Sequence, residues 1–319
     1  MGGRKQIKDR SDLTQCTPKV LITGGSGLLA LNWAISMRDR YKITLALHKR
    51  KIALKDVPVS FVDLHSDESF EQFLVNERIG IVVNTAGLTN IEQCEREPEI
   101  AGKVNRDLAA SLAKICYKSN VSFVHISTDH LFSGEQRLVS ETETFCPVNV
   151  YGQTKADAET LVLASNPNAL ILRSNFFGWG TKYRQSFSDY VIYANQNGEY
   201  VTLFDDVFFT PVIASELALI THELLNLGAS GIFNVVSDDR ISKFEFGMML
   251  AKTFSLDSRL IENGNIANHP SLVPRPRDMS LSNRKVSEFI DRPIGRVQEF
   301  IDELYFQRSS GVEAELRKI

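Results

Sequence analysis

The chain has 319 residues, 43% of them hydrophobic, with a formal net charge of −3 and a pI near 6.1. That length suits one large core with an appendage, or two domains, and the modest charge gives no general reason to expect a nucleic-acid or membrane partner. No apolar run approaches a membrane span, the polar N-terminus is unlike a signal peptide, and Cys16, Cys94, Cys116 and Cys146 have neither paired nor metal-ligand spacing, so a cytoplasmic protein without a bound metal is expected.

Residues 1–17 are polar and aperiodic and read as a mobile arm. Lys19 to Thr23 is a short apolar strand that runs into Gly24, Gly25, Ser26 and Gly27, then into a helix that begins with Leu28 and Leu29 and reaches about Arg40. Glycines at a first strand-to-helix turn allow close backbone approach, and the helix N-terminus offers free N–H groups to a pyrophosphate. Ala30 stands where a third glycine often sits and is small enough for helix and strand to pack. Dinucleotide binding is the expected role of this loop.

Further strands are expected at Ile43 to Leu47 and Val59 to Val62, a helix at Ser69 to Glu77, and a strand at Ile81 to Asn84. The second strand ends in His48, Lys49, Arg50 and Lys51, with no carboxylate among them. A carboxylate there bonds the ribose 2′-hydroxyl of NAD, whereas Arg50 can fork two oxygens of a 2′-phosphate, so NADPH is expected over NADH. Asp63, with Leu64 beside it, follows the third strand and is placed to reach the adenine amino group. A helix from about Ile100 to Ser119 leads to a strand at Val121 to Ile126, then a helix at Tyr151 to Ala164 and a strand at Ala169 to Arg173. Strands alternating with helices in this way indicate βαβ units and a doubly wound parallel sheet, a Rossmann α/β fold.

Tyr151 and Lys155, four residues apart on one helix, share a face. A phenol titrates at about 10, and bringing it to neutrality takes roughly 4 kcal/mol. One cation about 4 Å away in an effective dielectric of about 20 supplies that much. A hydroxyl from Thr128, on the loop after an apolar strand, can bond the same substrate oxygen. Alone, the spacing also describes an ordinary exposed helix pair.

Beyond Ser174 the pattern loosens into an aromatic, glycine-rich loop over 175–180, helices near Phe187 to Gln196, Ala214 to Leu227, Lys243 to Phe254 and Arg296 to Leu304, and strands near Tyr200 to Phe204 and Ile232 to Val236. The organisation expected is an arm at 1–17, a cofactor domain at 18–174, and a smaller C-terminal substrate-binding cap at 175–319 with segments returning to the first domain.

Taken in order, the glycine loop, Asn84-Thr85-Ala86-Gly87, Val104-Asn105, Ser127-Thr128-Asp129-His130-Leu131-Phe132 and Pro147 to Lys155 resemble the extended short-chain dehydrogenase/reductases. The chain is most similar there to the nucleotide-sugar reductases of the dTDP-4-dehydrorhamnose reductase type, from about Lys19 to the last helix. That resemblance implies proton chemistry at Thr128, Tyr151 and Lys155, and a cofactor lined by Thr85, Ala86 and Gly87. It also implies an Asn105 that supports the Lys155 region through a backbone or water link, unless its bond is purely structural. It implies a nucleotide-sugar substrate near Asn175 and Trp179, a diphosphate contact at Arg275 and Arg277, and a homodimer.

Related 4,6-dehydratases carry a glutamate after Thr-Asp; here Thr128-Asp129 is followed by His130, which disfavours dehydration and leaves His130 either packed or facing the sugar. The basic strand end disfavours an NAD-retaining epimerase. Two alternatives remain: reduction or epimerisation of another carbonyl compound, and a non-catalytic NADP-binding subunit such as the β subunit of methionine adenosyltransferase.

Overall fold

The apolar run Val20-Leu21-Ile22 is fully buried on both of its faces, as expected of a strand inside a parallel sheet rather than at a solvent-facing one. In the computed structural model, which describes residues 17–268 and 273–319, this run is the centre of β1 (Lys19–Thr23). The sheet continues through β2 (Ile43–Leu47), β3 (Val59–Phe61), β4 (Ile79–Asn84), β5 (Ser122–Ile126), β6 (Leu170–Arg173) and β7 (Gly231–Asn234). All seven are parallel, in the spatial order β7-β6-β5-β4-β1-β2-β3. The expected arm lies, but for Thr17, outside the described residues.

The chain steps outward from β1 to β3, then returns to the other side of β1 with β4. This reversal leaves a crevice beyond the carboxyl ends of β1 and β4, where ligands bind in open α/β sheets. One face of the sheet, with Val20, Ile22 and Val83, packs on α1 (Leu28–Met37) and on later helices; the other, with Leu21 and Val82, packs on α2 (Asp67–Glu77) and α3 (Leu108–Lys118).

Two helices begin differently from expectation. Ser66 caps α2 by accepting a bond from the Ser69 N–H, which starts the helix at Asp67. The long helix expected from Ile100 is a short turn at Pro98–Ala101, a π-helical turn at Gly102–Asp107, and then α3. A separate helix at Ile91–Arg96 precedes it. Past β6, α4 (Val150–Ser165) having come before it, lie α5 (Phe187–Gln196), α6 (Ala214–Asn226), α7 (Lys243–Phe254) and α8 (Val297–Ser309). Helix α6 packs on α1, and β7 completes the sheet edge beside β6. The strand expected near Tyr200 is Val201–Phe204, paired in parallel with Ile261–Gly264 outside the main sheet.

Candidate active site

A cleft of about 700 Å³ opens along the carboxyl ends of β1, β4 and β5 and under the first loops of the C-terminal half. Its floor is the glycine loop. Gly24 has a φ of +66°, and a Cβ there would stand 2.9 Å from the backbone of Ala86. A Cβ on Gly25 would meet the Leu45 side chain at 2.8 Å. Both glycines are thus needed for the loop to lie against β2 and the turn after β4. Gly27 begins α1 without a side-chain cap, so the first-turn N–H groups of that helix are left for an anion. Gly24, Ser26, Gly27, Leu28, Leu29, Thr85, Ala86 and Gly87 all line the cleft.

At the end of β2 only Arg50 reaches it. Its guanidinium stacks 3.7 Å above the Tyr183 ring, and the Tyr183 hydroxyl donates to the Ser26 carbonyl at 2.7 Å. His48 and Lys49 are exposed outside the cleft, His48 edge-on to His65. Asp63 accepts from the His65 N–H, and Leu64 packs partly into the core under β2; neither lines the cleft.

A buried polar chain crosses the sheet at the carboxyl ends of its central strands. Thr23, Asn84 and His125 are in-register neighbours on β1, β4 and β5. Thr23 Oγ1 donates to Asn84 Oδ1 at 2.6 Å, Asn84 Nδ2 meets His125 Nδ1 at 3.1 Å, and His125 Nε2 meets Lys155 Nζ at 3.0 Å. Lys155 also donates to the Ile126 carbonyl at 2.7 Å. Helix α4 carries Tyr151 and Lys155 on one face, as the spacing requires. The expected lowering of the phenol by Lys155 is not seen. Desolvation pushes Tyr151 up to about 12, partly offset by a hydrogen bond with Thr128, while Lys155 is engaged with His125 and its own burial brings it down to about 8. Burial and the Lys155 charge keep His125 neutral.

Asn105, in the π-helical turn, acts through a direct side-chain bond. Its Nδ2 donates to the Leu88 carbonyl at 3.0 Å and to Thr154 Oγ1 at 3.1 Å, and its Oδ1 accepts from the Leu88 N–H at 2.7 Å. It ties the loop after β4 to the residue before Lys155 and does not itself line the cleft.

At the substrate end, Thr128, Asp129, His130 and Asn175 line the cleft together. Asn175 Nδ2 donates to Asp129 Oδ2 at 2.6 Å, and the His130 ring stands edge-on to Tyr151, 5.6 Å between centroids. Trp179 is elsewhere: it is wholly buried, bonded through Nε1 to the Leu304 carbonyl at 3.1 Å and packed on Phe254, so it cannot wall a substrate. Arg275 is paired with Glu92, and Arg277 is exposed with its carbonyl accepting from Phe208. Neither arginine lines the cleft. Arg184 does, from the loop before α5, where it donates to Thr89 Oγ1 at 2.6 Å and has no carboxylate partner among the described residues. The sequence carried no periodicity or motif around Arg184 or Tyr183 that marked them.

The model of the RmlD substrate binding domain matches residues 18–307. The probable low-salt glycan biosynthesis reductase Agl14 of Haloferax volcanii is 31% identical over 269 residues, 82% of this chain and 89% of that protein. A structure of a hypothetical dTDP-4-dehydrorhamnose reductase from Sulfolobus tokodaii is 27% identical with a TM-score of 0.76, over 87% of this chain and 96% of that one. The dTDP-4-dehydrorhamnose reductase of Bacillus anthracis in complex with NADP is 19% identical with a TM-score of 0.81, over 91% of this chain and 99% of that one. With a family match that runs from the first strand to the last long helix and a glycine loop shaped as a dinucleotide site requires, the chain belongs to the RmlD substrate binding domain family, on an extended short-chain dehydrogenase/reductase fold.

Proposed function

We propose that the chain reduces the keto group of a nucleotide-linked sugar, a 4-keto-6-deoxy hexose, with NADPH and with Tyr151 as general acid. As a member of this family it is an NADP-dependent oxidoreductase. The observation that carries the reading is the cleft itself, which Thr128 and Tyr151 line together with Gly24, Ser26 and Gly27 of the glycine loop. Bound NADPH supplies the hydride. Thr128 and Tyr151 donate to the carbonyl oxygen as negative charge develops on it, and Tyr151 then gives up its proton. Lys155 supports the departing phenolate and is held in place by the buried His125–Asn84–Thr23 chain. A homodimer is the expected assembly, checked by sedimentation.

Oxidation of NADPH, followed by its absorbance, with a panel of dTDP-, GDP-, CDP- and UDP-4-keto-6-deoxy sugars tests the reading. Turnover with one nucleotide series supports it; binding of NADPH without turnover of any member overturns it.

Two residues sharpen the expectation. Arg50 is the one basic residue at the end of β2 that lines the cleft. Charge-assisted bonds to a 2′-phosphate make Arg50→Ala weaken NADPH by about tenfold or more and leave NADH within about twofold, read by fluorescence titration. Equal losses for both cofactors, or tighter NADH binding in the unaltered chain, would remove Arg50 from that role. Arg184 takes the diphosphate in place of Arg275 and Arg277. Arg184→Gln therefore raises the KM for the nucleotide sugar by about tenfold with NADPH affinity unchanged. A KM that stays put returns the diphosphate to another cation.

A further inference from the structure

The inner end of the cleft gathers polar atoms that the protein leaves unpartnered. His130 Nδ1 and Ser174 Oγ are buried without a hydrogen bond, and both residues line the cleft. Close by is the ammonium of Lys243, the first residue of α7. Its Nζ lies 3.3 Å from the Phe209 ring centroid and 4.8 Å from that of Phe187, and Phe187 is itself a wall of the cleft. Among the described residues Nζ has no carboxylate or carbonyl partner; only the backbone N–H of Lys243 is bonded, to the Val207 carbonyl.

Elementary electrostatics disfavours a lysine here. The start of a helix is its positive end, and the half-buried position strips part of the water from the ammonium. The aromatic face of Phe209 offsets part of that cost. Burial brings Lys243 down to about 8, with the Asp129 carboxylate pulling the other way, and His130 feels the same cation. Asp129 is pinned by Asn175 at 2.6 Å and lines the cleft beside His130. Lys243 thus stands behind Phe187, just off the cleft lining, as a cation unpaired with the Asp129 anion that lines the cleft, and His130 and Ser174 each leave an orphaned polar atom on the same lining. Buried polar groups are normally satisfied, and a cluster that is not points to a polar ligand.

We propose that Lys243, with His130 and Ser174, forms the subsite for the ring hydroxyls of the sugar, the ammonium donating to one hydroxyl while Asp129 accepts from its neighbour. The assignment rests on the nucleotide-sugar reading above and makes Lys243 a specificity-determining residue.

The test compares the unaltered chain with Lys243→Met and Lys243→Arg, using the best 4-keto-6-deoxy nucleotide sugar of the panel and its analogue lacking one ring hydroxyl. Lys243→Met raises KM by about tenfold or more, keeps kcat within about threefold, and narrows the preference for the parent sugar over the analogue. NADPH affinity is unchanged, which also reports that the variant folds, and Lys243→Arg recovers part of the KM. A lysine with a merely structural role would lower the melting temperature of Lys243→Met and leave KM unmoved. A KM within about twofold of the unaltered chain overturns the subsite and leaves the reductase reading standing. An unaltered chain that binds NADPH and reduces no sugar of the panel overturns that reading, and the subsite with it.

Discussion

Tyr151→Phe turns over at least about a hundredfold more slowly than the unaltered chain, with NADPH affinity nearly intact. The substitution removes one oxygen from a residue whose ring stays packed edge-on to His130, so the cleft keeps its shape. What is lost is the proton. With desolvation holding the phenol at about 12, Tyr151 carries its proton across the whole neutral range. That state suits a donor, although a phenol so high gives its proton up reluctantly. The groups that pull it back down are the Thr128 hydroxyl and the Arg184 charge, while Lys155 is bonded to His125 and the Ile126 carbonyl. Steady-state rates and a separate cofactor titration check the expectation; a variant that keeps more than about a tenth of the rate would remove Tyr151 as the proton donor.

The parts of this site that were legible in the sequence are those encoded by local chemistry. Gly24 and Gly25 announce close backbone approach wherever they sit after a first strand, and the four-residue spacing of Tyr151 and Lys155 places them on one helix face regardless of what surrounds them. The run of buried strands fixed the sheet class because an apolar stretch such as Val20 to Ile22 has few other uses. His125 was missed for the opposite reason. It occupies a strand that reads as apolar, and its meaning comes from the register that sets it beside Asn84, and Asn84 beside Thr23. No spacing along the chain encodes a pairing across three parallel strands. Trp179 is expected at the substrate because it follows a strand end, and Arg275 and Arg277 because they resemble a diphosphate-contacting arginine site of the family. Their actual surroundings are set by contacts with Leu304, Glu92 and Phe208, far away in sequence. Arg184 and Tyr183 sit in a loop whose position depends on where α5 docks, which no periodicity reveals.

Glu159→Ala costs the fold about 3–5 kcal/mol, a large part of the 5–15 kcal/mol that holds a domain together. Glu159 on α4 and Arg173 on β6 are each 1% exposed and meet through a forked pair, with Arg173 Nη2 at 2.8 Å and Nε at 3.0 Å and 3.1 Å from the carboxylate oxygens. Ser127 Oγ donates to the same carboxylate at 2.5 Å, and the guanidinium lies over the faces of Phe132 and Phe145. Removing the acid strands a desolvated guanidinium with no route to water. The double variant Glu159→Leu with Arg173→Met recovers most of the loss, because a well-packed apolar pair can replace a buried ion pair at little net cost. Denaturant midpoints of the singles and the double measure this directly; a single-variant loss below about 1 kcal/mol would show that the pair is solvated in solution. Recovery of the fold does not restore turnover. Ser127 precedes Thr128, and the Glu159 carboxylate both anchors that hydroxyl and raises Lys155 against its burial. In the double variant the loop bearing Thr128 loses its tether and Lys155 loses the charge that holds it up against its burial, so its own charge is lost at a lower pH. The rate then declines with rising pH earlier than in the unaltered chain, while the melting temperature stays close to it.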